Sequence, residues 1–493
     1  MDFPYLSVIT LSPFLAALII AAVPRKQHLT IKLIAAVSTF ISLLLSVVVA
    51  VKYYPQADGS FRFIEKLPWI KSFGISYHLG ADGISIVLLM LTAVIIFCGV
   101  FASWHIEDRP KEFFVSLLVL VTGVFGVFVA VDMFLFFFYY ELAVIPMFLL
   151  IGIWGSTRKD YASMKLVLYI LVGSAFIMAG LLMIYFKAGL NSFDLFEVAK
   201  VSFPLAFQKI TFVLLLIGFG ILIPIWPFHT WSPDGHVAAP TATSMLHAGV
   251  LLKLGAYGIL RVGFFLLPDA ARFFAPYIAV LGVINIIYGA LCAMAQRDLK
   301  YVIGYSSVSH MGYVLLGMAT LNFFGLTGAV LQCFCHGIMT GLMFALVGFI
   351  YERAHTREIA DFGGLWKKMP IIAGVFTLAG SASMGLPGTS GFVAELFVYI
   401  GAIFRFKGPY AILTIVALIG VVVTAAYIVR LLQNVFLKEL DPKWKDLRDP
   451  RGIELAPFAI LGGLILSVGL YPVPLINLMS SSVALIIKRV VGG

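Results

Sequence analysis

An all-α polytopic membrane protein is the fold class this sequence predicts, on three observations. Hydrophobic residues make up 61% of the 493 residues and charged ones only 12%, with a mean hydropathy of +1.03, far outside the composition of soluble domains. Apolar runs of about 20 residues, the length that crosses a bilayer, recur along nearly the whole chain. The lysines and arginines behind the formal net charge of +10 sit in the short segments between those runs, the pattern of positive-inside topology. They do not cluster with exposed aromatics, so no nucleic-acid partner is expected. The lipid bilayer is the first partner.

The runs place about fourteen spans near 4–23, 30–53, 81–102, 112–131, 132–153, 163–187, 209–229, 240–264, 271–294, 299–318, 324–351, 369–405, 408–434 and 455–479. The polar segments between them read as loops only. The first run ends in Pro24-Arg25-Lys26 without a cleavage signal, and reads as a retained helix. An outside N-terminus puts Arg25, Lys26, Arg109, Lys111, Arg158, Lys159, Arg297, Lys300 and the segments 353–368 and 438–451 on the cytoplasmic side. An even number of spans returns the C-terminus outside.

Two spans are interrupted. The seventh meets Pro224 and Pro227, enters a polar turn with His229, Asp234 and His236, and resumes as an apolar helix carrying Lys253. Proline removes a backbone donor and clashes with the preceding turn, and in lipid the freed groups need protein or water partners. The twelfth run is too long for one crossing and holds Met-Gly-Leu-Pro-Gly-Thr-Ser-Gly-Phe, residues 384–392. Breaks five spans apart are what two inverted five-helix repeats produce. The chain then divides into 1–111 (helices 1–3), 112–264 (helices 4–8), 271–434 (helices 9–13) and 435–493, within one membrane domain.

A charge at the bilayer centre costs about 2.5 to 3.5 kcal/mol on insertion scales. Glu141, Lys253, His310, His336 and Glu395 each fall near the middle of a different span. One such histidine alone suits a helix–helix hydrogen bond. Five groups at one level suit proton relay in the membrane plane, because burial brings both protonation states of lysine and carboxylate within reach. Asp82 reads as a helix N-terminal carboxylate, and Asp298 and Lys300 as solvated loop charges. Lys165 reads as too shallow to pair with Glu141. Cys98, Cys292, Cys333 and Cys335 lie in apolar runs without metal or disulfide spacing, and no Gly-rich dinucleotide fingerprint follows a strand. No redox centre or bound cofactor is expected in this chain.

Six stretches carry a family resemblance: YHLGADGIS (77–85), PFHTWSPDGH (227–236), LLKLGAYG (251–258), YSSVSHMGYVL (305–315), YERAHTREI (351–359) and GLPGTSGFVAE (385–395). At these residues the chain resembles the antiporter-like membrane subunits of respiratory NADH-quinone oxidoreductase, complex I, and within them the subunit M, or chain 4, branch. YERAHTREI and a glutamate at 395, where subunits L and N carry lysine, are the more specific marks of that branch. The resemblance implies a proton-pumping module driven at a distance by quinone reduction, with Glu141, Lys253, His310, His336 and Glu395 as its relay. It also implies NADH, FMN, Fe-S clusters and quinone in partner subunits, antiporter-like subunits L and N and small membrane subunits as neighbours, and a bacterial inner membrane.

One departure stands out. The family's helix-seven lysine, two residues before the first proline of the break, is Leu222 here, and the glutamate of the following segment is Ala238. In the family that lysine pairs with the helix-five glutamate, so Glu141 lacks its expected cation. Three outcomes are open: altered or lost coupling, substitution by another group, of which His247 is nearest by sequence, or a relay of water that tolerates Leu222. The rival functions are a subunit of a multisubunit Na+/H+ antiporter or membrane-bound hydrogenase, and a structural spacer that no longer pumps.

Overall fold

The computed structural model describes residues 3–407 and 411–492. Helices α1 (Tyr5–Ala22), α2 (His28–Tyr53), α3 (Gly83–Ala102), α4 (Pro110–Val129), α5 (Met133–Trp154) and α6 (Lys159–Ala188) make the first six crossings. The seventh is split into α7 (Leu205–Leu222) and α8 (Trp231–Ala238). Helices α9 (Thr241–Phe264), α10 (Pro268–Ala295), α11 (Leu299–Ala319) and α12 (Phe323–Ala354) follow. The twelfth crossing is split into α13 (Pro370–Ser383) and α14 (Ser390–Arg405), and α15 (Ala411–Leu437) and α16 (Leu455–Leu470) complete fourteen. Both interruptions fall where the prolines place them. The apolar windows of α9 and α12 are wholly buried, so these two helices form the centre around which the others pack.

The sequence reading needs two corrections. The segment 54–80 is more than a loop: β1 (Arg62–Ile70) and β2 (Ile75–Ala81) form an antiparallel hairpin. Strand β2 is buried over the helix ends, with the Val131 amide donating to the His78 carbonyl at 2.9 Å. The last span also ends earlier than 479. The chain turns at Tyr471-Pro472, and α17 (Val473–Val491) follows as a separate helix. Although α17 is long and apolar enough to cross a membrane, the hydrogen bonds that tie it down reach helix ends and connecting segments. Ser482 accepts from the Gly83 amide at 3.0 Å, Ser481 donates to Ala57 O at 2.6 Å, and Arg489 donates to Phe265 O and Ala199 O. Helix α17 lies along the hairpin face. Gly83 is required there, since a Cβ would sit 1.9 Å from Leu478 O.

Carboxylates lace that face together. Asp82 caps α3 through the Ser85 amide at 3.0 Å and also pairs with buried Arg261 of α9, so its capping role is joined by an ion pair. Asp132 caps α5 and accepts from the Ser76 amide of β2 at 2.9 Å. Asp194, in the segment between α6 and α7, accepts from Lys66 of β1 at 2.7 Å and contacts His78 Nδ1 of β2 at 2.8 Å. Burial pushes the Asp194 carboxyl up, but the hydrogen bonds and charges of His78 and Lys66 outweigh it and hold it below the ordinary carboxylate range. The opposite face carries Arg25, Lys26, Arg109, Arg158, Arg297 and Lys438 at or beyond helix ends.

The first break closes on side chains. Asn285 of α10 accepts from the Trp226 amide at 2.8 Å and donates to Pro224 O at 3.1 Å, while Trp231 Nε1 donates to Ile221 O at 2.9 Å. These bonds take up backbone groups that the end of α7 leaves open.

Two outcomes follow. Asn285→Ala leaves a backbone donor and an acceptor without partners, and should lower stability by about 1–3 kcal/mol, read as a lower thermal midpoint of the detergent-solubilised protein. A folded carboxyl pKa below its unfolded value stabilises fully above the unfolded value, near 4, and is lost as pH falls through the folded one. Asp194→Asn should therefore lower the midpoint at neutral pH and flatten its decline under acid.

Candidate functional site

Helix α9 is irregular around its lysine. His247–Leu251 and Ile259–Phe264 are π-helical turns, and Lys253 lies between them. Such turns interrupt the regular ladder and recur at functional sites. Here the widened turn leaves Ala248 O free to accept from Lys253 Nζ. The ammonium also donates to His336 Nδ1 of α12 at 2.7 Å. Both side chains are fully enclosed.

His336 continues towards α11. Its ring centroid is 5.4 Å from that of His310, and its Nε2 is buried with no hydrogen-bond partner among the described residues. His310 Nε2 meets Ser383 Oγ, the last residue of α13, at 3.1 Å. Nδ1 has two neighbours: Gln332 Nε2 at 3.2 Å and Glu395 Oε1 of α14 at 3.5 Å. A neutral ring can accept from Gln332 at Nδ1, whereas a protonated ring directs Nδ1–H to the carboxylate. The site thus offers each protonation state of His310 a different partner.

The second break makes room for that carboxylate. Gly385 and Gly388 have φ of +66° and +89°, in the left-handed region that favours glycine. A Cβ on Gly385 would lie 2.7 Å from Glu395 Oε2, so the first glycine serves both the turn and the acid. Four of the five sequence-derived groups, Lys253, His336, His310 and Glu395, therefore form one buried line across α9, α12, α11 and α14.

Glu141 stands apart. It lies on α5, half-buried, with Ser174 of α6 as its polar neighbour, and its Oε1 is buried without a hydrogen-bond partner among the described residues. Gly173, beside Ser174, packs against the end of α7, where a Cβ would meet Gly218 O at 3.1 Å and Ile221 Cβ at 3.4 Å. Leu222 follows, buried, as the last residue of α7. His247 does not replace the missing lysine there. Its ring is stacked on Trp231, 5.1 Å between centroids, and lies 3.9 Å from that of His236. The half-helix α8 holds it on the Lys253 side of the molecule.

Several polar groups around α8 escaped the sequence reading. Lys300 is not a solvated loop charge: it is 3% exposed and donates to Ala239 O at 2.6 Å, just past the end of α8. Arg357 donates to Val237 O at 2.9 Å and pairs with Asp298 at 3.1 Å. Two cations thus cover carbonyls at the C-terminus of the half-helix, where the dipole favours them. Asp298 caps α11 as well. Lys165 pairs with Asp234 of α8 at 2.8 Å, and Tyr301 donates to the same carboxylate at 2.9 Å. The break itself was the signal, since a half-helix in lipid exposes carbonyls that need donors.

Comparison with known proteins bears on this interior directly. The family described as NADH:quinone oxidoreductase/Mrp antiporter, transmembrane, matches residues 130–424, which include all five ionisable groups and both breaks. NAD(P)H-quinone oxidoreductase chain 4 of Gloeobacter violaceus is 39% identical over 481 residues, covering 95% of this chain and 90% of that protein. A chain of respiratory complex I from Thermus thermophilus superposes with a TM-score of 0.90 at 25% identity over 99% of both chains. One from the Mrp complex of Dietzia sp. gives 0.83 at 21% identity over 99% of this chain and 98% of that one, a likeness of fold. With its two broken spans and buried line of ionisable groups, the chain belongs to the NADH:quinone oxidoreductase/Mrp antiporter family of membrane subunits.

Proposed function

We propose that this chain is the antiporter-like, proton-translocating subunit of a complex I-type NADH:quinone oxidoreductase, resembling chain 4. The observation that carries the proposal is the 2.7 Å contact between Lys253 and His336, buried and continued to His310 and Glu395. Lys253 releases a proton to His336 Nδ1, and the proton leaving Nε2 passes to the neighbouring His310 ring, 5.4 Å away between centroids. His310 passes it from Nδ1 to Glu395. Quinone reduction elsewhere drives the transfers by shifting charge near one end of the line. NADH, FMN, Fe-S clusters and quinone belong to partner subunits in this proposal, and the line itself needs no redox group.

The neighbours proposed are the other antiporter-like subunits, L and N, and small membrane subunits of the same arm. The membrane proposed is the bacterial inner membrane, with the hairpin face and both termini outside, because the Lys/Arg-rich face is the cytoplasmic one under the positive-inside rule. The units 112–264 and 271–434 are proposed as repeats of opposite orientation.

A second reading has one observation in its favour. Glu141 Oε1 has no hydrogen-bond partner and forms no ion pair among the described residues, and Leu222 stands where the family carries its lysine, which suits a subunit that keeps the arm intact with weakened or absent pumping. The Mrp-like fold also admits a cation/proton antiporter subunit; sodium-dependent exchange in vesicles, with no quinone reduction in the purified assembly, would replace the proposal.

Lys253→Ala should abolish proton translocation through this subunit while the arm stays assembled, measured as acidification of vesicles per quinone reduced; undiminished acidification would contradict the proposal. Leu222→Lys should leave that ratio unchanged if the subunit already pumps fully. A rise in protons per quinone would favour the weakened subunit.

A further inference from the structure

Away from the buried line, a cavity of about 500 Å³ opens on the Lys/Arg-rich face, where the ends of α10 and α15 meet the segment after α12. Arg297, Arg430 and Lys438 line it together with Gln296 and Asn434, and among the described residues no carboxylate does. None of the three cations forms an ion pair among the described residues, in contrast to Arg353 and Arg357 nearby, which pair with Glu454 and Asp298. Three like charges around one hollow repel one another and draw an anion with several acceptor oxygens. Arginine forks suit phosphate in particular.

Position adds the rest. Arg297 lies two residues beyond the end of α10, and Lys438 directly follows α15, which is headgroup depth. Below the cavity, exposed apolar side chains lie on both helices within the spans: Leu291 on α10, and Val429, Val422 and Ile419 on α15. The inner wall, with Met294, Ile359, Phe362 and Leu431, is itself apolar. A free anion uses only the charged rim. A lipid uses the rim and the strip beneath it.

We propose that this cavity binds the phosphate headgroup of an anionic phospholipid from the adjoining leaflet, with its acyl chains laid along α10 and α15. Arg297 and Arg430 hold the phosphate oxygens, Lys438 supplies a further charge, and Gln296 and Asn434 donate to the glycerol oxygens.

The test uses the protein purified from its own membranes with its associated subunits, placed in phosphatidylcholine nanodiscs with a trace of photoactivatable phosphatidylglycerol. Cross-links should map to 288–297 and 422–438. The triple variant Arg297→Gln, Arg430→Gln, Lys438→Gln should weaken labelling by roughly five- to tenfold per charge removed. A control triple, Lys26→Gln, Arg158→Gln, Lys445→Gln, removes the same charge from exposed positions of that face and should leave labelling unchanged. An unaltered thermal midpoint shows that both variants fold; if the first triple does not, single substitutions should each give part of the loss. Four results would overturn the proposal. They are equal labelling by a phosphatidylcholine probe, equal loss in the control, displacement of the probe by inorganic phosphate, and labelling that appears only after the associated subunits are stripped, which marks a protein-covered surface.

Discussion

In a bilayer, every backbone group that leaves a helix must find a partner inside the protein, and this chain breaks two of its helices on purpose-built turns. The consequences spread outwards from that constraint. At the first break Asn285 and Trp231 take up the freed groups, and Lys300 and Arg357 cover the far end of the half-helix. At the second, glycines open a turn into which Glu395 fits. Satisfying the backbone brings polar side chains into the interior, the same interior that holds the buried lysine and histidines.

The irregular turns of α9 belong to the same design. A regular helix would offer Lys253 no backbone acceptor, whereas the π-helical turn before it presents Ala248 O. The lysine is thereby anchored at one end and left in contact with His336 at the other. Steric demands fix the neighbours: a Cβ on Gly337 would approach Gly249 O to 2.6 Å, so α9 and α12 touch at glycines one residue from His336.

Much of this was legible in the sequence, for physical reasons. Hydropathy placed the spans because lipid admits few alternatives, and the prolines and glycines at 224–227 and 384–391 placed both breaks. Depth along each span picked out Lys253, His310, His336 and Glu395, which do form one line. Depth alone could not say which faces meet, and Glu141, at the same level, is outside that line. The hairpin at 62–81 was missed because its strand β1 alternates weakly and carries Pro68. Lys300 was misread because two residues beyond a loop looks exposed, while the half-helix end that buries it is visible only in three dimensions. Helix α17 was lost because an apolar run continues across Tyr471-Pro472 and conceals the turn.

The centre of the matter is whether the line from Lys253 to Glu395 carries protons or merely fills the interior with satisfied polar groups. His310 distinguishes the two, since among the described residues its ring meets the side chains of Ser383, Gln332 and Glu395 and hydrogen-bonds no backbone group. The decisive measurement is the number of protons moved per electron in the assembled enzyme bearing His310→Phe. A conducting line predicts a ratio lowered by the share of this one subunit, with quinone reduction continuing. An unchanged ratio in the intact complex would mean that protons do not travel along these residues.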